Sequence, residues 1–195
     1  MKKVARDELL PLGAYEQIRD RFRARVIAEK KERRFFPTPE LDVLFENHDS
    51  ALMQIQEMLR TERITAEPAI LHELETYNAL VPGEGELSAT LFVAIPDRDT
   101  RERRLMELAG LESTLSLEVG GASFPAVAEA RGELTDRTTA VHYLKLALGA
   151  DGVARLRAAA AGNGEAVWVV HHPKLEARAP IPPAVLRALV ADLDA

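Results

Sequence analysis

The chain has no cysteine among its 195 residues. That absence excludes disulfides, thiolate nucleophiles and any metal cluster held by the chain's own thiolates, leaving His, Asp and Glu as the plausible metal ligands. No run of about 18 apolar residues occurs, so no membrane-spanning helix is expected. No charged, apolar, small-residue leader is found at the N-terminus, and the expected compartment is the cytoplasm. A phosphate loop is lacking too, because Gly83-x-Gly85 and Gly120-Gly121 are turn glycines with neither a Lys-Ser/Thr pair nor a following helix. The five serines, Ser50, Ser88, Ser113, Ser116 and Ser123, lack the context of a nucleophile elbow.

What is present suits one well-filled core. Hydrophobic residues make up 47% of the chain, and residues 1–195 are read as a single domain. Charge is unevenly spread. Residues 1–35 carry eleven Lys/Arg against six Asp/Glu (net +5), and the remaining 160 carry fourteen against twenty-five (net −11), which sums to the overall −6. Such asymmetry marks a docking face.

Apolar spacing predicts a first helix from Tyr15 to Arg34, ending before Pro37 and Pro39, then a short strand from Leu41 to Glu46. Asp49 or Ser50 is expected to cap a helix that buries Leu52, Ile55 and Leu59. Another follows Thr65, with Pro68 in its first turn and Pro82-Gly83 beyond its end. Leu87 to Ile95 alternates as a strand, Asp97 or Asp99 opens a charged helix, and Gly110 stands where a left-handed cap is wanted. Gly120-Gly121 between Thr114–Val119 and Ala122–Ala130 signals a hairpin. Thr138–Leu148 and Glu165–His172 read as strands, Asp151–Ala161 as a helix, and the Pro180-Pro182-Pro183 stretch launches the last helix. About six strands and six helices result. Their irregular alternation favours an α+β fold with a mixed or largely antiparallel sheet flanked by helices.

Chemistry concentrates between Phe45 and Pro82. Gln56, Glu57, Arg60 and Arg63 lie three or four residues apart on one flank of the first helix of this block. His72, Glu73, Glu75, Tyr77 and Asn78 crowd the second. A polar seam between the two helices is the expected arrangement, and it has two readings. In one, Arg60 and Arg63 orient an anionic group, or Glu57, Glu73 and His72 hold a divalent metal. In the other, the charges pair with one another and hold the helices in register. A ferritin-like centre does not fit, since His72-x-x-Glu75 is reversed in order and occurs once.

His142 shares a strand face with Ala140, Leu144 and Leu146, where a core role competes with a site role. His171 and His172 must point to opposite faces. The basic helix from Arg19 to Phe36 invites a nucleic-acid reading, but Asp20, Glu29 and Glu32 break its positive run and the rest of the chain is acidic.

FRARVIAEKK at Phe22–Lys31, LFEN at Leu44–Asn47, QIQEMLRTERI at Gln54–Ile64, ELETYNALVPG at Glu73–Gly83, LSATL at Leu87–Leu91 and TTAVHYLKL at Thr138–Leu146 resemble a bacterial family known as domain of unknown function 3501. The resemblance implies no assigned activity. Its members look like genomic companions of rubrerythrin-type peroxidases and cysteine-rich iron–sulfur oxidoreductases, which implies a role in peroxide or electron-transfer chemistry with redox protein partners. The family's motif residues fall on Glu46, Gln56, Glu57, Arg60, Glu62, Arg63, Glu73, Tyr77, Asn78, Thr139 and His142. The stretch from Arg131 to Asp136 departs from the family in being less acidic.

Two functions follow as expectations. One is an accessory or ligand-binding protein that uses Glu46, Gln56, Glu57, Arg60, Arg63, Glu73, Tyr77, Asn78 and His142. The other is a carboxylate/histidine enzyme acting on a small anionic substrate, with Glu57 or Glu73 as general base or metal ligand beside His72 or His142.

Overall fold

The computed structural model describes residues 1–128 and 136–194. Among these residues the chain forms six α-helices and nine strands. In order they are α1 (Leu12–Glu32), β1 (Arg34–Thr38), β2 (Leu41–Phe45), α2 (His48–Thr61), α3 (Glu67–Asn78), β3 (Glu86–Val93) and α4 (Arg98–Glu107). There follow β4 (Leu115–Val119), β5 (Ala122–Pro125), β6 (Val127–Ala128), β7 (Val141–Ala147), α5 (Gly149–Ala160), β8 (Ala166–His172), β9 (Leu175–Pro180) and α6 (Pro183–Leu193). The α+β class and the antiparallel pairing are as expected. The strands, however, divide into two sheets, ordered β1-β2-β3-β7-β6 and β5-β4-β8-β9.

The two strands that sequence reasoning missed, β1 and β9, share a physical cause. Each sits at the edge of its sheet and each contains a proline, Pro37 or Pro180. Proline cannot donate to a ladder, so it reads as a strand breaker, yet at an edge the missing N–H costs nothing. The cap of α2 also differs from expectation. Asn47 accepts from Ser50 N at 2.9 Å, while Ser50 Oγ accepts from Asn47 N at 2.9 Å, closing a reciprocal box that caps the helix before Asp49 or Ser50 would. Asp97 does cap α4, through Thr100 N, and Gly110 takes φ 82° as its position demands. The strand expected from Thr138 begins at Val141, and the part of the expected strand at Glu129 and Ala130 lies outside the described residues. So does the Arg131–Asp136 stretch apart from Asp136.

Alternation splits each strand of the five-stranded sheet into two faces. Leu41, Val43 and Phe45 on β2, Leu87, Ala89 and Leu91 on β3, and Leu144 and Leu146 on β7 join the main core. The second sheet contributes Leu115, Leu117, Val119, Trp168 and Val170, and α4, α5 and α6 add Leu105, Leu156, Val185 and Leu189. At its centre Trp168, fully buried, meets Phe35 and Phe45 edge to face with ring centroids 6.2 Å apart. Between β5 and β6 the chain passes from one sheet to the other: Pro125 still pairs with Ser116, and Val127 already pairs with Lys145. A second apolar cluster joins Val4 and Leu9 to Ala51, Ile55 and Leu59 of α2, to Ile70 of α3 and to Val81.

Candidate functional site

The polar flank of α2 faces α1 and the segment before it, and not α3. Gln56 accepts from Leu10 N at 2.6 Å and donates to Leu10 O at 3.3 Å. Glu57 receives both Nε and Nη2 of Arg19 at 2.8 Å and the Tyr15 hydroxyl at 2.7 Å, with Arg23 Nε 3.7 Å away. Arg60 Nε donates to Glu16 at 2.6 Å. The Arg19 guanidinium, assisted by the Tyr15 hydroxyl and opposed by burial, holds the Glu57 carboxyl below its ordinary value. Burial, reinforced by Glu57, pushes the Tyr15 hydroxyl well up.

The seam expected between α2 and α3 is therefore not assembled. Asn78 accepts from Val4 N at 2.8 Å and returns its amide to Val4 O at 2.9 Å, pinning the N-terminal segment. Tyr77 packs on the second cluster, Glu73 is half-buried, and His72 and Glu75 are exposed. Arg63 is exposed at the end of α2 with φ 52°. Its N–H donates to Arg60 O and the Ile64 N–H to Leu59 O, the bond pattern of a Schellman cap with arginine where glycine is usual. Among the described residues no three His, Asp or Glu side chains converge as a metal would need, so Glu57, Glu73 and His72 form no such set.

His142 lies on the core side of β7, opposite Leu91. Its Nε2 is 2.9 Å from Thr138 Oγ1, whose hydroxyl is 2.9 Å from Glu112 Oε2. Burial lowers the His142 pKa, with Glu112 partly opposing. Thr139 caps the Val141 carbonyl at 2.8 Å. His172 is buried and satisfied, with Nε2 on Ala109 O and Nδ1 receiving Lys174 N, whereas His171 is exposed on the other face.

The opposite side of the same sheet carries a different polar set. Register places Asp42, Phe92 and Val141 in one row, Leu44, Thr90 and Tyr143 in the next, and Ser88 with Lys145 in a third. Sequence reasoning saw the Ser88/Thr90 alternation on β3 but had no sign that this face is buried: both side chains are nearly inaccessible. Asp42 is also buried. Its Oδ1 lies 3.3 Å from Arg34 Nε without a hydrogen bond, and burial raises its carboxyl pKa.

Glu46 follows β2 on this side, only 8% exposed. Its Oε1 receives the Thr90 hydroxyl at 2.6 Å and its N–H donates to Ser88 O at 2.8 Å. It lines a cavity of about 70 Å³ with Met1, the Pro82–Ser88 turn and Leu189, Asp192 and Leu193 of α6. Two of the carboxylates there are already neutralised. Burial raises Glu86, but the Gly83 N–H at 3.0 Å and Lys145 Nζ at 2.9 Å outweigh it and leave the carboxyl below its ordinary value. Asp192 takes both arms of Arg33, at 2.6 and 2.7 Å. Glu84 is exposed, and Glu46 makes no ion pair with any described residue.

The turn itself depends on a close approach of two glycines. Gly85, at φ 65°, receives both Leu148 N and Gly149 N at 2.9 Å, and a Cβ there would stand 3.3 Å from the Gly149 Cα. Of this pair, Gly85 lines the cavity.

Fold and site together define an α+β protein of two antiparallel sheets with a small, acidic cavity where Met1, the β2–α2 connection, the start of β3 with the turn before it, and α6 meet. No helix among the described residues is long and apolar enough to cross a membrane. Residues 3–193 match the family described as "Protein of unknown function (DUF3501)", and the chain belongs to it. It is similar in structure to a novel protein of unknown function from Burkholderia pseudomallei, with a TM-score of 0.89 and 35% identity over 99% of this chain and 100% of that one. Comparison with curated proteins returns no match.

Proposed function

We propose that the protein is a cytoplasmic ligand-binding accessory protein, with the Glu46 cavity as its binding element, working beside rubrerythrin-type and iron–sulfur redox proteins. One observation carries the binding part: a carboxylate more than nine-tenths buried lines a cavity with a single hydroxyl donor and no ion-pair partner among the described residues. Buried charge is ordinarily paired, so a carboxylate left in this state suits a partner from outside the chain. The redox setting rests on the family resemblance.

The reading as a carboxylate/histidine enzyme for an anionic substrate draws less support. Glu46 with Thr90 and His142 with Thr138 lie on opposite sides of one sheet, so the two cannot meet on one substrate. The cavity's carboxylates would also repel an anion.

Native mass spectrometry of the protein taken gently from its own cells tests the proposal, together with affinity capture of co-encoded redox proteins. The expected outcome is a bound small molecule that Glu46→Gln loses, and co-purification of a redox partner. A bare polypeptide mass and no redox partner would remove both halves.

A further inference from the structure

We infer that the open end of the five-stranded sheet's outer face docks a peptide segment of a partner protein, one that carries a carboxylate beside apolar side chains. The inference goes beyond the proposal above and depends on neither the Glu46 cavity nor the redox setting. Around Ser88 and Thr90 this face is buried. At the row of Asp42 it opens: Phe36 is 65% exposed and Val141 38%, with Phe92 half-buried between them. Asp42 pairs with Phe92 and Phe92 with Val141, while Phe36 shares the outward side of β1 with Arg34. Single exposed apolar side chains are ordinary, but aromatic and aliphatic groups in one row beside an arginine have the make-up of an interface centre.

Arg34 decides what this surface takes. Its guanidinium carbon stands over the Phe92 ring, 5.9 Å from the centroid, and its Nε lies 3.3 Å from Asp42 Oδ1. Asp42 is 9% exposed, yet that oxygen accepts no hydrogen bond. Charge alone draws the pair together, and none of the guanidinium's N–H groups donates to a described residue. A guanidinium stacked on a ring keeps its planar fork at the ring's margin, where it suits the two oxygens of a carboxylate. The side chain is 40% exposed, so the fork is within a partner's reach. Ring and buried carboxylate hold it in place beforehand, which lowers the ordering cost of association.

Breadth and charge narrow the occupant. Phe36 on β1 and Val141 on β7 lie three strand spacings apart, about 14 Å. Small ligands sit in concave sites that bury most of their surface, so an open row of this width is covered by something larger. A nucleic-acid strand is broad enough, but its phosphates engage several cations. Arg34 is the one cation in the rows of Asp42 and Leu44, with Asp42 beside it and a net charge of −6 on the chain. A peptide asks only for one carboxylate on Arg34 and apolar side chains on Phe36, Phe92 and Val141.

The full-length protein should be titrated with acetyl-Leu-Glu-Leu-Glu-Leu-amide, with its Leu-Gln-Leu-Gln-Leu counterpart and with a short oligothymidylate. NMR follows the Arg34 Nε–H and the backbone amides of Phe36, Phe92 and Val141. The glutamate peptide should shift these resonances, and the glutamine peptide should bind at least about tenfold more weakly, having lost the charge-assisted pair. Arg34→Lys keeps a charge beside Asp42 and removes the fork, and should weaken the glutamate peptide several-fold. Phe36→Ser, at an exposed position, should weaken it without moving the melting temperature, and Lys31→Gln on α1 should change nothing. Equal binding of the two peptides, or undiminished binding by Arg34→Lys, overturns the carboxylate. Shifts with oligothymidylate alone would make the face a nucleic-acid surface, and shifts that grow with protein concentration alone would make it a contact between copies of the chain. Either result overturns the peptide, as does silence of these resonances towards all three probes.

Discussion

Glu57 and Glu46 stand eleven residues apart in sequence and in opposite electrostatic situations. Glu57 faces two arginines and a tyrosine hydroxyl from α1, and both of its oxygens accept hydrogen bonds from them. Glu46, the more deeply buried, has one threonine hydroxyl. Helix-spaced charge attracted notice to the first, and that charge is consumed in attaching α1 to α2. The second belongs to a strand end that periodicity treats as ordinary. Dense charge in a sequence shows where polar groups are needed, and only the partners decide whether any capacity is left over.

The largest effect that would break this contrast comes from the helical side. Asn78→Ala strips the partners from both Val4 N and Val4 O inside the second cluster, and should cost about 2–3 kcal/mol of unfolding free energy in urea titrations. A cost near zero would mean that the segment before α1 is not anchored there. Tyr15→Phe deletes one buried donor to Glu57 while Arg19 stays, and about 1 kcal/mol is expected. Arg63→Gly relieves the left-handed backbone at the α2 cap and should stabilise by roughly 0.5–1 kcal/mol. If it destabilises, the side chain holds more than the cap. Smallest of all, Glu46→Gln keeps the Thr90 bond and removes an unmatched charge, so stability should stay level or rise by less than about 1 kcal/mol. A marked loss would show that Glu46 serves the fold as Glu57 does.

Acid should separate the regions as well. The folded Glu57 carboxyl lies below its ordinary 4.5, so the unfolded chain binds that proton more readily. Its contribution is present above about pH 4.5 and disappears as pH falls through the lowered folded value. His142, lowered from 6.5 by burial, acts earlier: the unfolded ring protonates first, and stability declines as pH drops below 6.5 towards the folded value. Melting curves should therefore show two successive losses, and His142→Gln should flatten the first alone.

Much of the fold was legible because local chemistry and global structure agree. Asp97, Gly110, the Gly120-Gly121 pair, Pro68 and Pro183 all stand where caps, turns and first helical turns require them. β1 and β9 were hidden by edge prolines. The site was legible as a neighbourhood and no further. Spacing shows that Gln56, Glu57 and Arg60 share a flank, yet nothing in a 3.6-residue period says whether α1 or α3 lies across from it. Gln56 and Asn78 bind the backbone of Leu10 and Val4, which has no residue-type signature. Glu84, Glu86 and Asp192 are brought beside Glu46 by a loop and a distant helix, a meeting set by topology.

The passage of the chain from one sheet to the other at Pro125 and Ala126 has a consequence for folding. β5 is zipped to β4 by a local hairpin, whereas β6 must find β7 across a longer stretch of chain. With a single buried residue between the two strands, neither sheet can loosen far without pulling on its neighbour. The two sheets should melt in one transition, and a cut placed between β5 and β6 should lower its midpoint without dividing it, because both sheets share one core.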